Sequence, residues 1–157
     1  MKRIVQIFLP SLILFFIFQV IMQFNSTEAV SYKSFKKSKI QRSDVNLLAR
    51  AINGEARGEP YIGQVAVGAV IINRTRDPRF PNTIAGVIYQ PGAFTAVSDG
   101  QINAKLEKTP VRAANDALNG WDPSGGALYY YNPAKTTNKW IWSRPVIKRI
   151  GKHVFCK

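Results

Sequence analysis

The chain has 157 residues, room for one domain of ordinary size, and its 46% apolar content with 3 Trp, 6 Tyr and 9 Phe can fill a core. A net charge of +13, from 22 Lys and Arg against 9 Asp and Glu, calls for an anionic partner; no nucleic-acid motif is visible, so an anionic wall or membrane surface fits better than nucleic acid. A lone His and a lone Cys speak against a zinc hydrolase, which needs three or more protein ligands, and rule out an internal disulfide.

Lys2 and Arg3 precede an apolar run from Ile4 to Phe24, followed by a small-residue site near Thr27-Glu28-Ala29. This pattern over 1–29 reads as a secretory signal. At about twenty residues the run is also long enough to remain as a membrane anchor. Residues 30–43 carry Lys33, Lys36, Lys37, Lys39 and Arg42 without an acid, and read as a disordered basic linker. Positive charge kept on the cytoplasmic side sends the remainder outward. The domain itself is expected over 44–157.

A helix is expected from Asp44 to Arg57, capped by Ser43 or Asp44. At roughly 100° per residue, Leu48, Ile52, Glu55 and Glu59 share one narrow sector. Burial of that stripe carries Glu55 toward the core, and Gly58 and Pro60 end the helix. A carboxyl held in apolar surroundings has its charged form disfavoured, the condition for a general acid near neutral pH. The plainer alternative is a Glu55 paired with Arg50 or Arg57.

Residues 64–74 are apolar nearly all round, and the small residues at 66, 68 and 69 favour a central helix over a buried strand. A turn-rich loop spans 77–82, and a short helix capped by Thr83 runs to Tyr89. Phe94 to Gly100 reads as a short extended piece ending in an Asp-Gly turn, and 101–108 as polar loop. Thr109-Pro110 opens another helix that runs to Leu118. Ala127 to Pro133 reads as a strand with Tyr129 and Tyr131 on one face and Tyr130 on the other. The Trp140-Ile141-Trp142 cluster suits either sugar stacking or cover for the core edge. Ile147 to Cys156 alternates as a last strand.

Elimination among the acids leaves three. Asp44 is a cap, Asp77 and Asp122 precede prolines, Asp116 lies in a helix, Glu107 sits in a loop and Glu28 belongs to the leader. Glu55, Glu59 and Asp99 remain. His153 and Cys156 stand three apart on a strand and point to opposite faces, so a Cys–His nucleophile is disfavoured. What is left is proton transfer by a carboxyl group, the chemistry of glycosidic bond cleavage.

The motifs Gly54-Glu55-Ala56-Arg57-Gly58-Glu59-Pro60-Tyr61, Gly63-Gln64-Val65-Ala66-Val67, Asn73-Arg74 and Phe94-Thr95-Ala96-Val97 belong together. So do Asn119-Gly120-Trp121-Asp122-Pro123, Ala127-Leu128-Tyr129-Tyr130, Trp140-Ile141-Trp142 and the run from Ile147 to Lys157. Across 44–157 they resemble the spore cortex-lytic enzymes and their cell-wall hydrolase relatives. The resemblance implies an α+β, lysozyme-like fold, mainly helical with a small antiparallel sheet. It implies cleavage of peptidoglycan glycan strands, as a lytic transglycosylase or a muramidase-type hydrolase, with Glu55 as catalytic acid and a role in germination. Glu59, Thr95, Asp99 and Asn132 are expected to contact substrate, together with Phe94, Tyr130, Trp140 and His153. No metal, cofactor or nucleic acid is expected, and the domain is expected to be a monomer acting outside the cytoplasm. Spore cortex enzymes usually carry an N-terminal wall-binding domain; here the basic 30–43 stretch and the apolar run are expected to supply wall proximity. A stem-peptide amidase and a non-catalytic wall-binding protein are the alternatives.

Overall fold

The computed structural model describes residues 42–157, a compact unit. The expected leader and all but the last two residues of the linker lie outside the described residues. Among those described, no helix is long and apolar enough to cross a membrane.

Helix α1 covers 42–56. Arg42 and Ser43, read as linker, are helical, so Ser43 and Asp44 lie inside α1. The apolar members of the expected stripe, Leu48 and Ile52, are at 0% exposure, as are Ala49 and Ala51, while Glu55 and Glu59 are half-buried. Beyond Ala56 the chain turns, with the Glu59 amide donating to the Ala56 carbonyl (2.9 Å). Gly58 does not adopt a positive φ, so the left-handed cap expected there is absent. Pro60 instead leads into α2 (Tyr61–Arg76).

α2 is the central helix, and Gly63 to Ile72 are buried without a break. Each fully buried Val or Ile contributes roughly 1.5–3 kcal/mol. Its neighbours come close because position 68 is glycine. A Cβ there would stand 2.9 Å from Ile52 Cδ1 and 3.2 Å from Ala117 Cβ. Ala117 belongs to α5 (Lys108–Leu118), whose buried face is Pro110, Ala113, Ala114 and Ala117. α3 (Ile84–Ile88) is capped as expected, Thr83 Oγ1 accepting the Gly86 amide (3.0 Å).

Two segments depart from the sequence reading. Phe94 to Gly100 is not an extended hairpin arm: Thr95–Ser98 form a helical turn, α4, with Phe94 extended before it and Gly100 at φ +79° after it. A 3-10 turn, Gln101–Asn103, follows where loop was expected. Ile147 to Cys156 is two strands. The three-stranded antiparallel sheet is formed by β1 (Tyr129–Tyr131), β2 (Val146–Ile150) and β3 (His153–Cys156) in the order β1-β3-β2. Gly151, at φ +57°, and Lys152 make the turn between β2 and β3. Tyr130 faces Phe155 in the β1–β3 register. The aromatic cluster is a further helical turn, α6 (Lys139–Trp142), capped by the Asn138 side chain on the Trp140 amide.

Candidate active site

Glu55 lies at the end of α1, half-buried in the wall of a cleft of about 620 Å³. The helix end, the 57–60 turn and α4 supply one side of that cleft. The sheet supplies the other, through β1, the 132–136 loop and the β2–β3 turn.

The head of Glu55 meets polar donors, where the sequence predicted apolar surroundings. The Ala96 amide donates to Glu55 Oε1 (2.7 Å) and the Tyr130 hydroxyl donates to Oε2 (3.1 Å). Ala96 is in the first turn of α4, where amides lack intrahelical partners, so the carboxylate caps that turn from 41 residues away. Gly54 makes the approach feasible: a Cβ there would collide with Ala96 Cβ. The alternative ion pairs do not form. Arg50 donates to Asn46 Oδ1 (2.9 Å) and the Ile102 carbonyl (3.3 Å), while Arg57 donates to Gln101 Oε1 (2.9 Å).

Tyr130 is held as a donor. Burial first, and then the neighbouring Glu55 carboxylate, push its phenol well above the ordinary tyrosine range. Its ring packs on His153 (5.1 Å between centroids) and Phe155 (6.0 Å). His153 is 7% exposed and its Nδ1 is buried with no hydrogen-bond partner. Burial lowers its pKa, against the pull of Glu59, and Lys135 and Lys152 lower it further. The imidazole is therefore neutral near pH 7.

Glu59 and Asp99 both line the cleft, and each is engaged. Glu59 Oε2 accepts the Lys152 amide (2.8 Å), clamping the β2–β3 turn onto the end of α1. A Cβ at Gly151 would run into that carboxylate. Asp99 Oδ1 accepts the Gln101 amide (3.0 Å), holding the 3-10 turn. Thr95 and Asn132 also line the cleft. Phe94 and Trp140, expected among the sugar contacts, do not. Phe94 is 3% exposed in the core beneath the Arg74 guanidinium. Trp140 is 50% exposed on α6, its ring edge-on to Tyr129 and 5.0 Å from the Arg144 guanidinium.

Arg74 was not singled out for the site, yet it lines the cleft while only 8% exposed. Its Nε donates to the Leu128 carbonyl (2.7 Å), and the rings of Phe80, Phe94 and Tyr129 lie 5.2–5.4 Å from its guanidinium. Burial lowers its pKa, opposed by the nearby Glu55 carboxylate. The sequence signal was available: Arg74 is the first charge after the apolar run of α2. Cys156 offers no nucleophile, since burial pushes its thiol up. Asp122, read as a turn residue, ties the loop before β1. It accepts from Asn73, Ser124 and Gly126, bonds that outweigh burial and hold its carboxyl below the usual range.

The model of the Cell Wall Hydrolase family matches residues 58–156. The spore cortex-lytic enzyme of Bacillus subtilis (strain 168) is 62% identical over 115 residues, 73% of this chain and 38% of that protein. A Bacillus cereus spore cortex-lytic enzyme is 60% identical over 116 residues, covering 74% and 45%. The chain thus spans less than half the length of these curated relatives. A solved structure, the catalytic domain of the germination-specific lytic transglycosylase SleB from Bacillus anthracis, superposes with a TM-score of 0.70 at 60% identity, covering 73% of this chain and 93% of that one. The fold is accordingly α+β and lysozyme-like, mainly helical with a small antiparallel sheet.

Proposed function

The chain belongs to the cell wall hydrolase family, and on that footing we propose that it cleaves peptidoglycan glycan strands as a lytic transglycosylase, with Glu55 as the proton donor. Spore cortex is the substrate we favour, as the names of its relatives suggest. On this reading it works outside the cytoplasm as a monomer, with residues 1–29 as the means of export or anchorage.

One observation carries the reading. Of the three acids in the cleft, Glu55 alone takes donors from two separate elements, the Ala96 amide of α4 and the Tyr130 hydroxyl of β1, while Glu59 is bonded to the Lys152 amide and Asp99 to Gln101 alone. Hydrolysis with two flanking carboxyls requires a second one free to act. A transglycosylase requires one. Glu55 gives its proton to the glycosidic oxygen as the bond to the muramic anomeric carbon breaks. The carboxylate left behind takes the proton of the sugar's own 6-hydroxyl as that oxygen closes on the anomeric carbon. One proton leaves and one returns, and no water is consumed. During the charged interval the Ala96 amide and Tyr130 hydroxyl stabilise the carboxylate through charge-assisted bonds.

Mass spectrometry of a cortex digest tests this. Fragments ending in 1,6-anhydro-muramic acid are expected, and Glu55→Gln is expected to release none above background. Reducing ends would point to a muramidase, and free stem peptides would replace the proposal with an amidase.

A further inference from the structure

The helix side of the cleft mixes charges, Arg57 and Arg74 standing among its acids, whereas the sheet side carries cations without an acid. The acids of the cleft all lie on the helix side, at Glu55, Glu59 and Asp99. The lining contributed after residue 122 includes Lys135, Lys152 and His153 and no acid. Among the described residues the single ion pair joins Arg79 to Asp77, so neither lysine has an ion-pair partner among them. Glu59 is the nearby acid, but its carboxylate receives the Lys152 backbone amide and not an ammonium.

Both lysines are mounted on fixed backbone. The 132–136 loop is closed by the Lys135 and Thr136 amides on the Asn132 carbonyl (3.0 Å each) and by the Ala134 amide on Asn132 Oδ1 (2.9 Å). The Lys152 backbone is pinned by Glu59. His153 lines the same cleft, buried to 7% exposure, with an unpartnered ring nitrogen and with Glu59, Lys135 and Lys152 all acting on its charge. Paired cations beside a buried polar ring form a receptor for an anion, and the anion a neutral sugar backbone can present is a carboxylate substituent.

Resting on the glycan-cleavage reading, we propose that Lys135 and Lys152 form a carboxylate subsite. It takes a carboxylate borne by the muramic residue, either its lactyl group or the stem peptide attached there. The strand then binds with its substituted edge toward the 132–136 loop and the β2–β3 turn, and the scissile oxygen toward Glu55.

Calorimetric binding of soluble, peptide-bearing tetrasaccharide fragments tests the subsite independently of turnover, with Glu55→Gln as the parent protein. In low salt, Lys135→Gln combined with Lys152→Gln is expected to weaken binding about tenfold, as two partly exposed ion pairs allow. Carbodiimide amidation of the fragment should cost the parent the same factor and the double variant nothing more. The arginine pair, Lys135→Arg with Lys152→Arg, should recover most of the affinity. Stripping the stem peptide frees the lactyl carboxyl from its amide and so names the source: lysine-dependent affinity that survives shows that the free lactyl carboxylate fills the subsite as well, and lost affinity assigns the carboxylates of the peptide. Equal affinity of parent and double variant, or a loss that persists on the amidated fragment, overturns the subsite. Cleavage by the wild-type chain is scored separately. Carboxylate-dependent binding without any product would sink the enzymatic reading and leave the subsite standing, and product with lysine-independent binding would do the reverse.

Discussion

At the scale of single residues, Tyr130 is the partner that most directly governs Glu55. Its hydroxyl donates to one carboxylate oxygen while its ring is packed against His153 and Phe155. Phenylalanine would keep the packing and remove the donor. A hydrogen bond to a charged group contributes roughly 1.5–3 kcal/mol, so Tyr130→Phe should lower kcat/KM about 10- to 100-fold. The thermal midpoint, read in parallel, should move by only a few degrees. Activity equal to wild type would show that the Ala96 amide alone holds the carboxylate. Glu55 itself was legible in the sequence, since a stripe of Leu48 and Ile52 points it inward by geometry that neighbouring residues determine. Its surroundings were not. The donors at its two oxygens come from 41 and 75 positions away, and one of them is a backbone amide that no side-chain pattern marks.

The same division between local and distant causes runs through the elements. The nearly all-apolar run at 64–74 announced a central helix, and the small residue at 68 announced the close approach that Ile52 and Ala117 make. α4 went unread because four residues, Thr95–Ser98, are too few for a period, and because part of what holds the turn is the distant Glu55. The β2–β3 turn went unread because basic and apolar residues alternate straight across Gly151, the one mark of a bend. Phe94 was expected at the sugars through the motif it shares with the wall hydrolases, and Trp140 through an aromatic cluster equally suited to the core edge; neither a motif nor aromatic character distinguishes a core ring or a ring edge-on to Tyr129 from a binding platform. Gly54 is where α1 and α4 are coupled. Gly54→Ala puts a methyl against Ala96 Cβ, so α4 must retreat and take its amide from Glu55. Overpacking of this kind costs about 1–3 kcal/mol, a shift visible in the denaturation midpoint. The expected loss of kcat/KM is larger, on the order of a hundredfold, because displacement of the donor adds to the strain. A variant that loses stability but retains its rate would uncouple α4 from catalysis.

For the molecule as a whole, charge is distributed with a direction along the chain. After Asp122 there is no Asp or Glu, while Lys135, Lys139, Arg144, Lys148, Arg149, Lys152 and Lys157 follow. This acid-free part builds the sheet, and in β2 the residues Val146 to Arg149 are all exposed. Two attractions toward a polyanionic wall therefore differ in reach. The lysines of the cleft act at contact, whereas Lys148 and Arg149, outside the cleft lining, contribute to a field that solvent and salt screen. The Debye length shrinks from about 10 Å at 0.1 M salt to about 3 Å at 1 M, so the field component should vanish first. Pelleting of the inactive Glu55→Gln protein with purified walls is expected to fall several-fold across that range. Lys148→Glu with Arg149→Glu should weaken pelleting at low salt and flatten its salt dependence, because the charges being screened have been reversed. Unchanged pelleting in that variant would place the wall attraction in the cleft alone, and leave the exposed cations of β2 without a part in it.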